Sequence, residues 1–392
     1  MLKLVILIIY FAVLIGIGLY CRKHATDVNG FVLGGRSVGP WLTAFAYGTS
    51  YFSAVVFVGY AGQFGWKYGI AATWAGIGNA IIGSLLAWVV LGRRTRIMSQ
   101  HLDSATMPQY FGKRFGSNPL KIGASVIIFI FLIPYTASLY NGLSRLFGMA
   151  FNIDYSVCII IMATLTAIYV IAGGYMATAI NDFIQGIIML FGIVAVIAAV
   201  IHSKGGFMSA LQGLANVSDP AVSNTPGIFA SFFGPDPFNL LCVVILTSLG
   251  TWGLPQMVQK FYAIDNEASI QKGTVISTIF ALIVSGGCYF LGGFGRLFSD
   301  QIDVKANGFD SIIPTMLSNL SPALIALVVI LVLSASTPIR VFPDQLQHTT
   351  GYLQPDHTSC LMTVIYQLIP PDILPRQVRY IHKRHPASHK TE

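Results

Sequence analysis

An aspartate embedded in an apolar run is the residue of this sequence best suited to chemistry. The stretch from Leu165 to Val200, LTAIYVIAGGYMATAINDFIQGIIMLFGIVAVIAAV, carries Asp182 near the start of its long hydrophobic part. A carboxylate on or beside a membrane-spanning helix is costly and marks an ion or solute pathway. Thr178, Asp182 and Gln185 fall at i−4, i and i+3, so they share one helical face. A plainer reading competes: Asp182, with Asn181 beside it, caps its helix at the water boundary.

Two other segments carry groups of the right kind. A solute held at mid-membrane needs backbone groups released from helix hydrogen bonding, and interrupted spans in matching positions supply them. The segment WLTAFAYGTSYFSAVVFVGYAG has Gly48, Thr49, Ser50 and Ser53 at its centre. Five spans later, FNLLCVVILTSLGTWGLPQ carries Thr247, Ser248, Gly250, Gly253 and Pro255. A freed carbonyl is costly in hydrocarbon unless an ion, a solute or a neighbouring helix satisfies it. Tyr51, Phe52 and Trp252 flank the interruptions and are placed to close over a solute, and Gln256 follows the second one. Asn79 is polar at membrane depth, either facing the cavity or bonding between helices. Ordinary helix packing by small residues accounts for any one of these positions; the matched pair points to a site.

The elements that must position these residues are membrane helices. Of 392 residues, 54% are hydrophobic and only 10% are charged, against roughly 25% charged in soluble domains. A span takes ~20 apolar residues. Eight runs qualify, at about 2–20, 40–61, 70–92, 121–140, 155–173, 183–201, 238–254 and 273–295, and a ninth begins near Pro322. The short alternating segments of a β-barrel are missing. The expected fold is therefore an all-α polytopic membrane protein of about nine transmembrane helices. The first run, ~19 residues without a small-x-small cleavage site, reads as a retained anchor and not a signal peptide.

The net charge of +8 is read as topology, not as nucleic-acid binding. Arg22, Lys23 and Arg36 follow the first span, Arg93 to Lys121 supply six more after the third, and Lys260 and Lys272 lie between the seventh and eighth. Positive loops stay cytoplasmic, which puts the N-terminus outside and the C-terminal tail in the cytoplasm of a multi-pass protein of the cell (inner) membrane. The five cysteines show no paired spacing, so neither a disulfide framework nor a zinc site is expected. An intramembrane enzyme needs a nucleophile with a base at depth, yet His24, His101 and His202 lie in loops or at span ends. The chain is not read as an enzyme.

Four ordered segments resemble the sodium:solute symporter family. They are FVLGGRSVGPW at 31–41, DSATMPQYFGKRFGS at 103–117, IAGGYMATAINDFIQGIIML at 171–190 and GTWGLPQMVQKFYA at 250–263. The resemblance implies a leucine-transporter-type core of two inverted five-helix repeats behind an extra N-terminal helix. The matching divisions are 1–24 for the extra helix, 25–202 for the first repeat and 203–336 for an incomplete second repeat. It further implies a co-transported sodium ion, with Thr49, Phe52 and Ala335 at its site and Asp182 on its route to the cytoplasm. Ser50, Tyr51, Ser53, Asn79, Trp252 and Gln256 are the implied solute-binding set. The implied partners are sodium, a small organic solute (an amino acid such as proline, a sugar or a carboxylate) and the bilayer.

The chain departs from that pattern after Ser336. The family pattern continues with two hydroxyl residues at 338 and 339, where this sequence has Pro338 and Ile339, followed by Arg340. Proline disfavours continued helix. Residues 337–392 hold five of the eight histidines and seven of the eighteen prolines, but one of the 39 glycines. Their longest apolar stretch, LMTVIYQLI, is too short for a span. A frame change near codon 336 is the reading adopted here for this atypical tail, with weak or absent transport as its expected consequence; a natural regulatory tail is the plainer one. His382, His385 and His389 are too irregular in spacing to argue for a metal site. A non-transporting membrane remnant or accessory protein stands as the alternative function.

Overall fold

The computed structural model describes residues 2–21, 28–52, 55–151 and 155–335. Its regular structure is helical, with no strand among the described residues. In chain order the helices are α1 (Leu2–Cys21), α2 (Val28–Leu33), α3 (Pro40–Tyr51), α4 (Ala61–Tyr68), α5 (Thr73–Gly78), α6 (Arg93–His101), α7 (Met107–Phe115) and α8 (Asn118–Phe151). There follow α9 (Tyr155–Ser203), α10 (Phe207–Ala215), α11 (Pro237–Leu249), α12 (Pro255–Ala263) and α13 (Glu267–Gly293). The short α14 (Val304–Asn307) and α15 (Ile312–Leu317) lead to α16 (Pro322–Ala335).

Apolar length decides which pieces can cross a bilayer. Among the described residues, Val55–His101, Asn118–Tyr135, Gly174–Ser203 and Glu267–Gly293 are long and apolar enough, and the bent pair Pro237–Gly253 with Pro255–Ala263 makes a fifth candidate. Val5–Cys21 and Pro322–Val332 are shorter apolar helices. Large apolar side chains face outward on several of them, including Phe131 on α8, Phe191 on α9 and Leu246 on α11. Such faces are a liability in water and suit contact with lipid.

The sequence runs at 155–173 and 183–201 both fall in α9, and the division lies earlier than expected. Gly174, at φ 59° and ψ −160°, breaks the helix, in a region of backbone space that essentially only glycine enters. The second half of α9 therefore starts at Gly174, about two turns before Asp182.

A central helix, α13, packs against α3, α4, α5 and α9. Its approach to α4 and α5 is backbone to backbone: a Cβ on Gly65 would overlap the Gly292 carbonyl, and one on Gly76 would overlap the backbone at Gly286. Small residues at such crossings let membrane helices come close enough for dispersion and polar contacts to hold them. Helix α9 packs in turn against α1, α3 and α16, so the aspartate-bearing helix touches the first interrupted segment and the last described helix.

Candidate functional site

Both interruptions expected from sequence are present. Helix α3 ends at Tyr51, and Phe52 is non-helical at φ −93° and ψ 82°. The second break lies between α11 and α12, where Leu254 is extended and the two helices bend by 53°. Gly250–Gly253 forms a tight 3-10 turn and Pro255 starts the next helix. Pro255 has no N–H to lose at a first helical position.

The two breaks are joined directly. The Tyr51 hydroxyl donates to the Thr247 carbonyl at 3.2 Å, in the last turn of α11, where carbonyls lose their intrahelical donors. The Trp252 indole N–H donates to the Ile82 carbonyl at 2.9 Å. Asn79, 1% exposed, ties three helical segments together. Its amide donates to the Ser285 hydroxyl at 3.3 Å, and its carbonyl accepts from the Thr247 and Ser248 hydroxyls at 3.3 and 3.1 Å. Its polar atoms are thus engaged between helices. Ser84 and Ser277 share a 2.6 Å hydroxyl contact on the same α13 surface.

Aromatic rings fill the space around the first break. Phe45 lies 4.9 Å from Phe183 and 5.3 Å from Phe280, and Tyr51 lies 4.9 Å from Phe52, centroid to centroid. A side chain on Gly48 would overlap the Phe280 ring. Thr49 is fully buried, and its hydroxyl donates back to the Phe45 carbonyl at 3.0 Å. Ser50 is buried beside it. Gln256 is 1% exposed, and its amide makes no hydrogen bond of good geometry, although the Tyr135 phenol lies near enough to interact with it. Ser53 lies outside the described residues, as do Pro338 and Ile339. Ala335 ends α16, which packs against both α3 and α9.

Asp182 is an interior helix residue, 2% exposed, and not a cap. Its carboxylate faces the Lys260 ammonium of α12 at 3.6 Å, with the lysine side chain only 7% exposed. The ammonium also sits 5.1 Å from the centre of the Tyr175 ring, within cation–π range. Lys260 corrects the sequence reading: it is not a loop charge that sets topology, but a buried partner of the aspartate. The available signal was its position, one turn from the end of an α12 that begins right after the break. Of its expected face-mates, Thr178 donates to the Tyr175 carbonyl at 2.7 Å and Gln185 to the Tyr10 hydroxyl at 2.7 Å.

Near Lys260, Arg36 and Arg96 tie the end of α12 to neighbouring segments. Arg36, at φ 55°, donates to the Ser104 and Ser99 carbonyls at 2.8 and 3.3 Å and to the Tyr262 carbonyl at 3.3 Å. Burial, then the neighbouring Arg96 charge, lowers the Arg36 pKa, and Asp103 opposes them. Arg96 donates to the Ile264 and Asp265 carbonyls at 2.5 and 3.0 Å. Val38 pairs with both sides of Ile264, accepting from Asp265 and donating to Ala263. The end of α12 is thereby stitched to the turn at 34–38 and to α6 with the residues that follow it, 96–104.

A cavity of about 1100 Å³ is lined by residues that include Lys67, Asp219, Asp236, Arg296, Asp300 and Asp303. Arg296 donates to Asp219 at 3.0 Å and lies 3.9 Å above the Phe229 ring. No group of three or more metal-ligating side chains is found among the described residues.

Comparison with known proteins agrees with this architecture. The sodium:solute symporter family profile matches residues 31–337. The osmoregulated proline transporter OpuE of Bacillus subtilis is 29% identical over 299 residues, 76% of this chain and 59% of its own. A sodium/proline symporter of Staphylococcus aureus is 30% identical over 311 residues, 77% of this chain and 57% of its own. The chain thus matches a little under three-fifths of the length of these relatives. A Na+-coupled sialic acid symporter, solved in a substrate-bound outward-open state, superposes with a TM-score of 0.66 at 14% identity, covering 92% of this chain and 75% of that one; at that identity the likeness shows the fold alone. With a family match running through both breaks and the aspartate helix, this chain belongs to the sodium:solute symporter family, a family of membrane transport proteins.

Proposed function

We propose that the protein couples sodium entry to uptake of a small organic solute by alternating access. The observation that carries this reading is the pair of broken helices bridged by the Tyr51–Thr247 hydrogen bond. Interrupted helices concentrate unpaired carbonyls at membrane depth, where a hard cation with oxygen ligands and a small solute satisfy them. Thr49 and Phe52 supply sodium-facing carbonyls in this proposal, with Ala335 on α16 and Asp182 on the exit route. Ser50, Tyr51, Ser53, Trp252 and Gln256 face the solute. Asn79 serves it indirectly, by fixing α11 against α13 through its bonds to Ser248 and Ser285.

Sodium comes from the family's name, and the proline-transporting relatives put proline first among solutes to test. The basic segments, now seen stitched to one end of α12, favour placing that end in the cytoplasm of the cell membrane. The repeat boundaries at 24, 202 and 336 remain part of the same proposal. Uptake of labelled proline, a sugar, sialic acid and a monocarboxylate into proteoliposomes, with sodium or with choline, tests it. Sodium-dependent uptake of one of them is expected; folded protein that moves none of them in either salt overturns the reading.

A second reading rests on the sequence at 338–340. With Pro338 and Ile339 where the family pattern has hydroxyl residues, sodium binding is weakened and the chain is a poor transporter, a non-transporting remnant or an accessory membrane protein. Extending α16 past Ala335 with the corresponding segment of a proline symporter distinguishes the two. A large gain in uptake favours this second reading, and equal uptake favours the first.

A further inference from the structure

We propose that the Lys260 ammonium is a tethered stand-in for a passing sodium ion at Asp182, closing a polar track that runs along α9. The proposal rests on the symport reading above and assigns to Lys260 a gating role in it.

The track is inferred from buried polar atoms that make no hydrogen bond to protein groups. Eight buried side-chain polar atoms among the described residues have none, and four of them lie on one stretch of α9: the Tyr175 hydroxyl, both amide atoms of Asn181 and the Gln185 carbonyl oxygen. Asn181 is fully buried and Gln185 is 1% exposed. Positions 175, 178, 181, 182 and 185 form a continuous stripe on one helix face. Orphaned polar atoms in a packed interior are unfavourable, and a chance cluster of four on three turns of one helix has no packing rationale. A hydrated cation moving along the stripe supplies their missing partners in passing.

Lys260 sits where it can close this track and open it again. Its helix, α12, has nine residues and starts directly after extended Leu254. The ammonium lies within reach of both the Asp182 carboxylate and the Tyr175 ring, two groups that attract any monovalent cation. A buried carboxylate stripped of its counter-charge is strongly unfavourable. The lysine therefore stays until another cation takes the carboxylate, and the exchange of ammonium for sodium leaves the local charge unchanged. This couples opening of the α12 end to the arrival of sodium and blocks opening without it.

The test uses a reporter cysteine at Thr178, which lies on the same stripe of α9 and whose hydroxyl donates to the Tyr175 carbonyl, in protein with the five native cysteines replaced by serine. A charged, membrane-impermeant thiol reagent is applied from the α12 side of sealed vesicles. Lys260→Gln should speed labelling on the order of tenfold in sodium-free buffer, whereas Lys260→Arg should keep the slow rate. Saturating sodium should speed labelling in the parent and add little in Lys260→Gln. Should Lys260→Gln lose its monodisperse elution, the double variant Asp182→Asn/Lys260→Gln removes both charges together and should label as fast. Equal rates in the parent and the neutral variants overturn the proposal. If the parent transports with sodium yet labelling ignores Lys260, only the gate falls; if neither uptake nor labelling responds to sodium, the symport reading falls and the gate with it.

Discussion

The hydrogen-bonded set around Tyr51 and Asn79 and the set around Asp182 handle buried polarity in opposite ways. In the first, Tyr51, Asn79, Ser84 and Trp252 are neutral and bonded across helices. Around Asp182 charged and orphaned groups gather, with an ion pair at 3.6 Å, the unbonded Asn181 amide and the unbonded Gln185 carbonyl oxygen next to it. A neutral, satisfied network fixes one arrangement of helices. A charged pair flanked by unsatisfied groups holds its arrangement only while both charges stay in place. The fold thus places a rigid cross-brace at its breaks and an exchangeable latch at Asp182.

The largest effect should come from breaking the latch on one side only. Asp182→Ala leaves the Lys260 ammonium buried beside Tyr175 without its carboxylate, which should lower stability by about 3–5 kcal/mol. Replacing both, as Asp182→Leu with Lys260→Met, should recover most of that loss, since an apolar pair of similar volume is often neutral or better. Thermal unfolding in detergent of the parent, Asp182→Ala and the double variant checks this. A double variant no better than Asp182→Ala would mean that the pair is not a unit.

Next in size is the close approach on which the brace is built. Gly292→Leu places side-chain atoms against the Ala61 carbonyl, where backbone has to move. The expected loss is about 1–3 kcal/mol or more, read as a lower unfolding midpoint and reduced monodisperse yield. The brace itself is then probed by Asn79→Leu, which strips partners from the Ser285, Thr247 and Ser248 hydroxyls. About 1–2 kcal/mol is expected, because hydrogen bonds between membrane helices average below 1 kcal/mol each. Tyr51→Phe removes one bond and should cost about 0.5–1.5 kcal/mol. If Tyr51→Phe exceeded Asn79→Leu, the bridge between the breaks and not the asparagine hub would be the main brace.

Much of this contrast was legible in the sequence, and the reasons differ by residue. The second break was readable because Gly250, Gly253 and Pro255 are local signals that act on their own helix; the first lies at Phe52, just past Gly48, Thr49 and Ser50, which stay helical in α3. Asp182 was readable because a carboxylate stands out in an apolar run. The alternative that it caps a helix was removed by Gly174, whose positive φ moves the helix start well upstream of the aspartate. Lys260 was misread because charge near a span end looks the same whether it faces water or a partner 78 positions away; only packing of α12 against its neighbours distinguishes them. Asn79 held two open readings for the same reason, and its three partners lie on α11 and α13. The aromatic filling at Phe45, Phe183 and Phe280 is likewise tertiary and left no periodic trace.

The smallest expected effect sharpens the comparison most cheaply. Arg93 and Glu267 form another ion pair, with a 2.6 Å contact at the N-terminal end of α13. By distance alone it is the better bond. Its side chains are 69% and 50% exposed, however, so water and salt screen the attraction, and such pairs contribute under about 1 kcal/mol. Arg93→Ala should therefore shift the unfolding midpoint little, and any shift should fade at high salt. The Asp182 variants should keep their effect at the same salt, because the buried pair is shielded from counter-ions. Equal salt sensitivity of the two pairs would place Asp182 in contact with bulk water and reduce the latch to a surface charge. Opposite behaviour would establish that burial, and not the distance between the charges, separates the two pairs.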